Sequence, residues 1–101
     1  MLKVQIAYKE NKIDSLVMKG HAKSGPYGHD LVCAAASAIV IGGCNNIKDI
    51  KKFDITIEEG FVSIKAIEEI SQHDEVVLET IVTGLKTLEE DNKQFIKIEI
   101  L

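Results

Sequence analysis

The segment from Gly20 to His29 constrains the fold of this chain more than any other. It holds three glycines and the only proline of the sequence. It also separates a strand-like alternation from an apolar, helix-like stretch. Glycine and proline at this density break regular structure and are typical of a surface loop. The chain must therefore change from strand to helix here, and we expect a mobile loop at the point of change.

Asp30 follows this loop and is the predicted N-cap of the first helix. Its carboxylate is placed to accept hydrogen bonds from the backbone N–H groups of Val32 and Cys33. The helix is predicted from Leu31 to Ile41, where Gly42-Gly43 is expected to weaken or end it. Because nearly every side of this stretch is apolar, we expect the helix to be buried on most faces.

Alternation of apolar and polar residues predicts five strands. They cover Leu2–Tyr8, Ile13–Lys19, Phe53–Glu58, Phe61–Ala66 and Phe95–Ile100. A second, amphipathic helix is predicted after Ser71, since apolar residues then recur every three or four positions. Its apolar stripe is Val77, Ile81, Leu85 and Leu88. Ser71 and Asp74 resemble a capping box in which aspartate replaces the usual glutamate.

The predicted order of elements is ββαββαβ, in a single domain that covers residues 1–101. A hydrophobic content of 46% is enough to form a core. The simplest packing of these elements stacks both helices on the same side of one sheet. We therefore predict a two-layer α+β fold, with one five-stranded, mostly antiparallel sheet and two helices on one face.

The composition argues against two classes of partner. The formal net charge is −4 at pH 7, whereas nucleic-acid-binding domains normally carry a basic face. A basic partner such as a ribosomal protein is compatible with this charge. No apolar run approaches the ~20 residues of a membrane span, and the N-terminus carries no signal-peptide pattern. We expect a cytoplasmic protein without a direct nucleic-acid or membrane partner.

The two cysteines, Cys33 and Cys44, are predicted to be free thiols. On one helix, 11 positions of separation at ~1.5 Å each place them roughly 16 Å apart. A disulfide tolerates only ~7 Å between α-carbons. Two free thiols fit a reducing compartment.

Cys33 lies in the first turn of the predicted helix, where a thiol is suited to act as a nucleophile. The free N–H groups and the partial positive charge of a helix start favour the thiolate. His21 ends the preceding strand, and strand and helix are expected to meet at one sheet edge, as a cysteine hydrolase requires. Ser37, one turn along the same helix face, is placed to supply a hydroxyl. The competing interpretation of Cys33 is a small buried apolar residue.

Three alternatives remain open at this point. His29 lies beside the cap and competes with His21 for the role of base. Asp30 either only caps the helix or also orients the imidazole as a third catalytic group. A zinc ion is the third possibility, although the spacing of its candidate ligands matches no recurrent zinc pattern. These ligands are His21, His29, Asp30 and Cys33.

The same residues resemble the signature of a known family. The segments Gly20-His21-Ala22 and Gly28-His29-Asp30-Leu31-Val32-Cys33-Ala34-Ala35-Ala36-Ser37 are similar to the pattern GHA…G-x-D-[IL]-V-C-A-A-x-S of the ribosomal-processing cysteine protease family (Prp). The length and the ββαββαβ order are similar too. The resemblance implies that Cys33 is the nucleophile and His21 its base, with Asp30 and Ser37 in supporting roles.

The resemblance also implies a substrate. Members are cytoplasmic, homodimeric endopeptidases that remove a short N-terminal extension from large-subunit ribosomal protein 27. We therefore expect the N-terminal segment of a ribosomal protein as partner, an apolar cleft to receive it, and no metal or organic cofactor. The loop that includes Gly20, Ala22, Gly25 and Gly28 is expected to open for the peptide. The alternative from another class is a non-catalytic binding module that docks on a ribosomal protein.

Overall fold

Five strands and two helices follow one another in the predicted order. The computed structural model describes residues 1–26 and 28–101. The elements are β1 (Leu2–Lys9), β2 (Lys12–Lys19), α1 (Leu31–Cys44), β3 (Phe53–Glu58), β4 (Phe61–Ala66), α2 (Gln72–Asp91) and β5 (Ile96–Ile100). A short 3-10 turn over Ile50–Lys52 precedes β3. Each predicted element is therefore present, and most boundaries differ by one or a few residues.

The strands form one sheet in the order β3-β4-β2-β1-β5. All neighbours pair antiparallel except β1 and β5, which run parallel. The prediction of a mostly antiparallel α+β fold is confirmed. This order sets the end of β2 beside the start of β4, where Lys19 pairs with Phe61. The loop that leaves β2 therefore starts next to the turn between β3 and β4.

The core lies between one face of the sheet and the two helices. Alternate strand residues point into it, because successive side chains of a strand face opposite sides. Its largest fully buried residues are Val4, Ile6, Leu16, Val40, Ile64, Leu78, Ile81, Leu85 and Ile96. The predicted stripe of α2 supplies three of its four residues to the buried core, and Leu88 packs against the edge of that core. Within the described residues, neither helix has the length and apolar character needed to span a membrane.

Helix α1 is buried on one face only, so the prediction of burial on most faces is wrong. Its core-facing residues are Val32, Ala36, Val40 and Cys44. In contrast, Leu31 is 80% exposed, and Ala34 and Ala38 are exposed as well. The core contacts α1 from one side, while another flank of the helix lines an open cleft. The apolar residues around α1 therefore serve two different surfaces, one that packs in the core and one that lines the cleft.

Gly42-Gly43 does not end α1, which continues to Cys44. A Cβ at Gly43 would overlap the side chain of Ile81 in α2, so the absence of a side chain lets the two helices approach closely. Glycine in a helix costs about 1 kcal/mol relative to alanine. Packing against α2 offsets that cost, and the helix ends where the Asn45 N–H donates to the Ile41 carbonyl at 3.0 Å.

Asp74 is fully buried and joins the loop after α1 to the start of α2. Its carboxylate accepts hydrogen bonds from the N–H groups of Lys48 at 2.9 Å and Asp49 at 3.1 Å. The Ser71 hydroxyl accepts from the Asp74 N–H at 3.2 Å, which is half of the predicted capping box. Burial pushes the pKa of Asp74 upward, but the two loop N–H groups outweigh it and leave that pKa below its usual value.

Replacing Asp74 by asparagine should lower the free energy of unfolding by about 1–3 kcal/mol at neutral pH, because one buried N–H donor loses its acceptor. A depressed carboxyl pKa contributes stability that is complete above about pH 4 and is lost as the pH falls further. The difference in the free energy of unfolding between Asp74→Asn and wild type should therefore become smaller at acidic pH. Urea unfolding over this pH range measures it. Glu79→Gln, an exposed change on the same helix, is the control, and a pH-independent difference for Asp74→Asn would contradict the assignment.

Candidate active site

Helix α1 and the β3–β4 hairpin border a cleft of roughly 880 Å³. Residues of the segment that connects β2 to α1 also line it. The lining residues that matter for the chemistry are His21, Cys33, Ser37, Ile41, Ile57 and Gly60. His21 and Cys33 therefore share one cleft, as the predicted topology indicated, and the other described lining residues are mainly apolar residues and glycines.

Cys33 lies in the first turn of α1 and is half-buried. The backbone N–H of Ala22 donates a hydrogen bond to its Sγ atom at 3.1 Å. This contact joins the residue directly after His21 to the thiol. The alternative of Cys33 as a small buried apolar residue holds only in part, because the side chain packs against the core but also lines the cleft. Cys44 faces the core at 8% exposure, and both cysteines are free, as predicted.

Asp30 caps α1 as predicted, together with a partner that the sequence did not reveal. One carboxylate oxygen accepts from the Cys33 N–H at 3.0 Å and bonds the Ser24 hydroxyl. The other accepts from the Ser24 N–H at 3.2 Å. The Val32 N–H donates to the Ser24 hydroxyl at 3.3 Å, so the expectation that Asp30 serves Val32 directly is wrong. A hydroxyl residue six positions before a cap carries no periodic signal.

These bonds leave Asp30 as a cap and not as an orienting partner of the imidazole. Both of its oxygens bond Ser24 or Cys33, and within the described residues no hydrogen bond joins Asp30 to His21. The Ser24 hydroxyl, followed by the Cys33 N–H, holds the pKa of Asp30 well below its usual range. The carboxylate is therefore ionised at any physiological pH.

The resting thiol of Cys33 is less acidic than an ordinary cysteine, which corrects the expectation from its helix position. Burial raises the pKa of Cys33 most, and the Ala22 N–H lowers it. The Asp30 carboxylate raises that pKa further, and the Lys23 N–H lowers it. The helix start does offer N–H groups, but Ser24 accepts that of Val32 and Asp30 accepts that of Cys33. Asp30 also places a negative charge beside the sulfur.

His21 projects from the end of β2 and is exposed, with its ring against Gly60 in the β3–β4 turn. Among the described residues no hydrogen bond joins this ring to Cys33, although both side chains line the cleft. His29 is also exposed but does not line the cleft. His73 bonds the Asn46 carbonyl at 3.0 Å, far along the chain from the loop.

The remaining predicted residues fall around the same cleft. Ser37 is exposed on its α1 wall, and Gly20, Gly25 and Gly28 line it. Ala22 is buried behind Cys33. The predicted loop from Gly20 to His29 includes residue 27, which lies outside the described residues.

A metal site made by His21, His29, Asp30 and Cys33 finds no support. Nowhere in residues 1–26 and 28–101 do three or more histidine, cysteine or acidic side chains gather in a group that could hold an ion. Asp30 directs its oxygens to Ser24 and to a backbone N–H, and His29 lies outside the cleft. The four residues are close in sequence but do not converge on one point.

Comparison with known proteins identifies the family. The sequence model of the family described as "Cysteine protease Prp" matches residues 1–97. The chain belongs to this family. It is 33% identical over 93 residues to the ribosomal processing cysteine protease Prp of Staphylococcus aureus (strain Mu50 / ATCC 700699), a match that covers 88% of each chain.

Two solved structures of the Prp protease of S. aureus are similar to this fold over the full length of both chains. The one in complex with a covalently linked product peptide has a TM-score of 0.90 at 30% identity. The one in complex with a substrate peptide has a TM-score of 0.84 at 29% identity. Membership of the Prp family makes this chain a cysteine protease.

The electrostatics of the cleft predict how the thiol titrates without substrate. In a Cys44→Ala background, iodoacetamide alkylation of Cys33 should reach half its maximal rate above about pH 8.5, the midpoint of an ordinary thiol. Asp30→Asn should move that midpoint to lower pH, because it removes a charge that raises the pKa of Cys33. Asp54→Asn, an exposed change on β3, should leave it in place. A wild-type midpoint below that of a free thiol would contradict this description.

Proposed function

We propose that this protein is a cytoplasmic cysteine endopeptidase that removes the N-terminal extension of large-subunit ribosomal protein 27. Cys33 is the nucleophile and His21 the base. The observation that carries the proposal is the shared cleft, in which the Ala22 N–H bonds the Cys33 sulfur and the preceding residue is His21. The covalently linked product peptide of the S. aureus relative supports a covalent route.

Cys33 is the better nucleophile of the two cysteines because its sulfur reaches the cleft. Cys44 faces the core from the last turn of α1, where burial raises its pKa. A peptide cannot approach a sulfur in that position. The two residues differ in access, and access decides the role.

His21 is preferred as the base because it lines the cleft whereas His29 does not. In the resting state its ring lies against Gly60, and the Cys33 thiol is protonated. Hydrogen bonds of catalytic groups often tighten only when substrate is bound. A peptide that fills the cleft brings imidazole and thiol into contact, and this couples activation of the sulfur to the presence of substrate.

The reaction starts with transfer of the thiol proton from Cys33 to His21. The sulfur then attacks the carbonyl carbon of the scissile bond, and a C–S bond forms. As the C–N bond breaks, His21 gives its proton to the departing amine nitrogen. Water then attacks the thioester carbonyl and gives a proton to His21. The C–S bond breaks, the new carboxylic acid is released, and His21 returns the proton to the departing sulfur of Cys33. No step requires a metal or an organic cofactor.

Backbone N–H groups from the loop are the proposed donors to the oxyanion. The Cys33 N–H at the helix start is not available for this role, because it donates to Asp30. The N–H groups of Ala22 and Lys23 both act on the sulfur. Lys23 has a positive φ of 58°, and successive N–H groups in such a conformation form an anion-binding concavity. When the sulfur bonds to carbon, these donors lie next to the new oxyanion.

The substrate of the proposal is an extended, partly apolar peptide. Ile41 and Ile57 line the cleft on opposite elements, which suits apolar side chains of a ribosomal-protein extension. Gly20, Ala22, Gly25 and Gly28 belong to the loop that must open for entry. The S. aureus relative in complex with a substrate peptide supports a peptide as partner. We also propose that the protein is a homodimer and that Asp30 and Ser37 have supporting roles in the active site.

Cleavage of a synthetic peptide that spans the extension and the first mature residues tests the assignment by mass spectrometry. Cys33→Ala should abolish cleavage, whereas Cys44→Ala should retain it. His21→Ala should lower kcat/KM by about 10²- to 10⁴-fold, the typical contribution of a general base. The kcat/KM of His29→Ala should be close to that of wild type. Binding of the peptide without cleavage by wild type would instead favour a non-catalytic docking module.

A further inference from the structure

The turn between β3 and β4 closes directly against the ring of His21. Gly60 occupies this turn with a φ of +72°. A Cβ placed on Gly60 would lie 2.9 Å from Nε2 and 3.3 Å from Cε1 of His21. Real Cβ atoms essentially never approach a heavy atom to 2.9 Å, so His21 occupies this position only because residue 60 has no side chain.

The same turn is tied to the backbone that carries His21. The Gly20 N–H donates a hydrogen bond to the Gly60 carbonyl at 2.9 Å. This bond extends the pairing of β2 with β4 by one step beyond Lys19 and Phe61. The turn therefore keeps a fixed position relative to His21, with Gly60 on one side of the ring and the cleft beside it.

We infer that Gly60 is a positioning residue for the His21 imidazole, an inference that rests on the proposed role of His21 as base. The flat surface of the glycine limits the directions in which the exposed ring can turn. Nε2 is the His21 atom closest to the point that a Cβ on residue 60 would occupy, and His21 lines the same cleft as Cys33. A misplacement of about 1 Å in such a group can cost 10²-fold in rate.

A backbone requirement alone does not explain a glycine at this position. The β1–β2 hairpin also has a two-residue loop, and both of its residues, Glu10 and Asn11, adopt positive φ values of 54° and 65° without being glycine. Asparagine is the residue that best tolerates this conformation after glycine. The β3–β4 turn differs from the β1–β2 turn in two ways: of its two loop residues only Gly60 has a positive φ, and a histidine ring lies against it.

One variant tests whether the turn needs a glycine for its positive φ or for the space that the His21 ring occupies. Gly60→Asn keeps a residue suited to positive φ but adds a Cβ where the ring lies. We expect it to fold, with KM close to wild type and kcat for peptide cleavage about 10- to 100-fold lower. Asn11→Ala, in the other hairpin, strains a turn without touching the cleft. It should lower the melting temperature and leave kcat unchanged.

The outcomes distinguish this inference from the proposed function. If Gly60→Asn keeps the wild-type kcat while His21→Ala loses activity, Gly60 does not position the ring and the inference fails, although His21 remains the base. If His21→Ala keeps the wild-type kcat, the proposed base is wrong. Both the inference and the proposed base are supported if Gly60→Asn lowers kcat with an unchanged melting temperature and KM, and His21→Ala also lowers kcat.

A measurement on the wild-type protein covers the case in which Gly60→Asn does not fold. A nuclear Overhauser effect between the Hε1 proton of His21 and the Hα protons of Gly60 is expected, because Cε1 lies so close to the turn. The intensity of this cross-peak should correspond to a single, fixed distance between the two groups. The cross-peak should be absent in His21→Ala. No cross-peak in a well-resolved spectrum of wild type would overturn the inference.

Discussion

The carboxylate of Asp30 holds the beginning of α1 and the loop before it in one arrangement. It accepts the Cys33 N–H and bonds Ser24, whose hydroxyl accepts the Val32 N–H. Two of the free N–H groups at the helix start are thereby satisfied. A helix that began one residue later would rotate Cys33 by about 100° and turn the sulfur away from the cleft. The position of the thiol depends on this cap.

The same carboxylate also sets the chemical state of the sulfur. Its negative charge and the burial of the side chain both raise the pKa of Cys33, against the Ala22 and Lys23 N–H groups. The resting site is thus assembled but not ionised, with the imidazole against Gly60 and the sulfur bonded by a backbone N–H. Under the proposed mechanism, a thiol that ionises only when a peptide brings the imidazole close would restrict cleavage to a fitting substrate.

Local patterns predicted the elements, the Asp30 cap and a common cleft for His21 and Cys33, because alternation and capping act over short ranges and these two residues lie at the ends of consecutive elements. Properties that depend on tertiary surroundings were predicted poorly. The exposure of Leu31 depends on which side of α1 is covered by the core. The role of Ser24 follows from how the loop folds back, and the place of Gly60 beside His21 follows from the pairing of β2 with β4. The acidity of Cys33 was predicted with the wrong sign, because burial of the side chain, and after it the Asp30 carboxylate, raises the pKa of the thiol.

The most direct test of this account is the site at which a substrate-like electrophile reacts. A peptide with the sequence of the extension and a vinyl sulfone in place of the scissile carbonyl would be mixed with the wild-type protein, followed by intact mass measurement and peptide mapping. The account predicts one adduct per chain, on the sulfur of Cys33, formed much faster than with iodoacetamide at the same neutral pH. An adduct on Cys44, or no adduct from a protein that still cleaves the natural peptide, would contradict it.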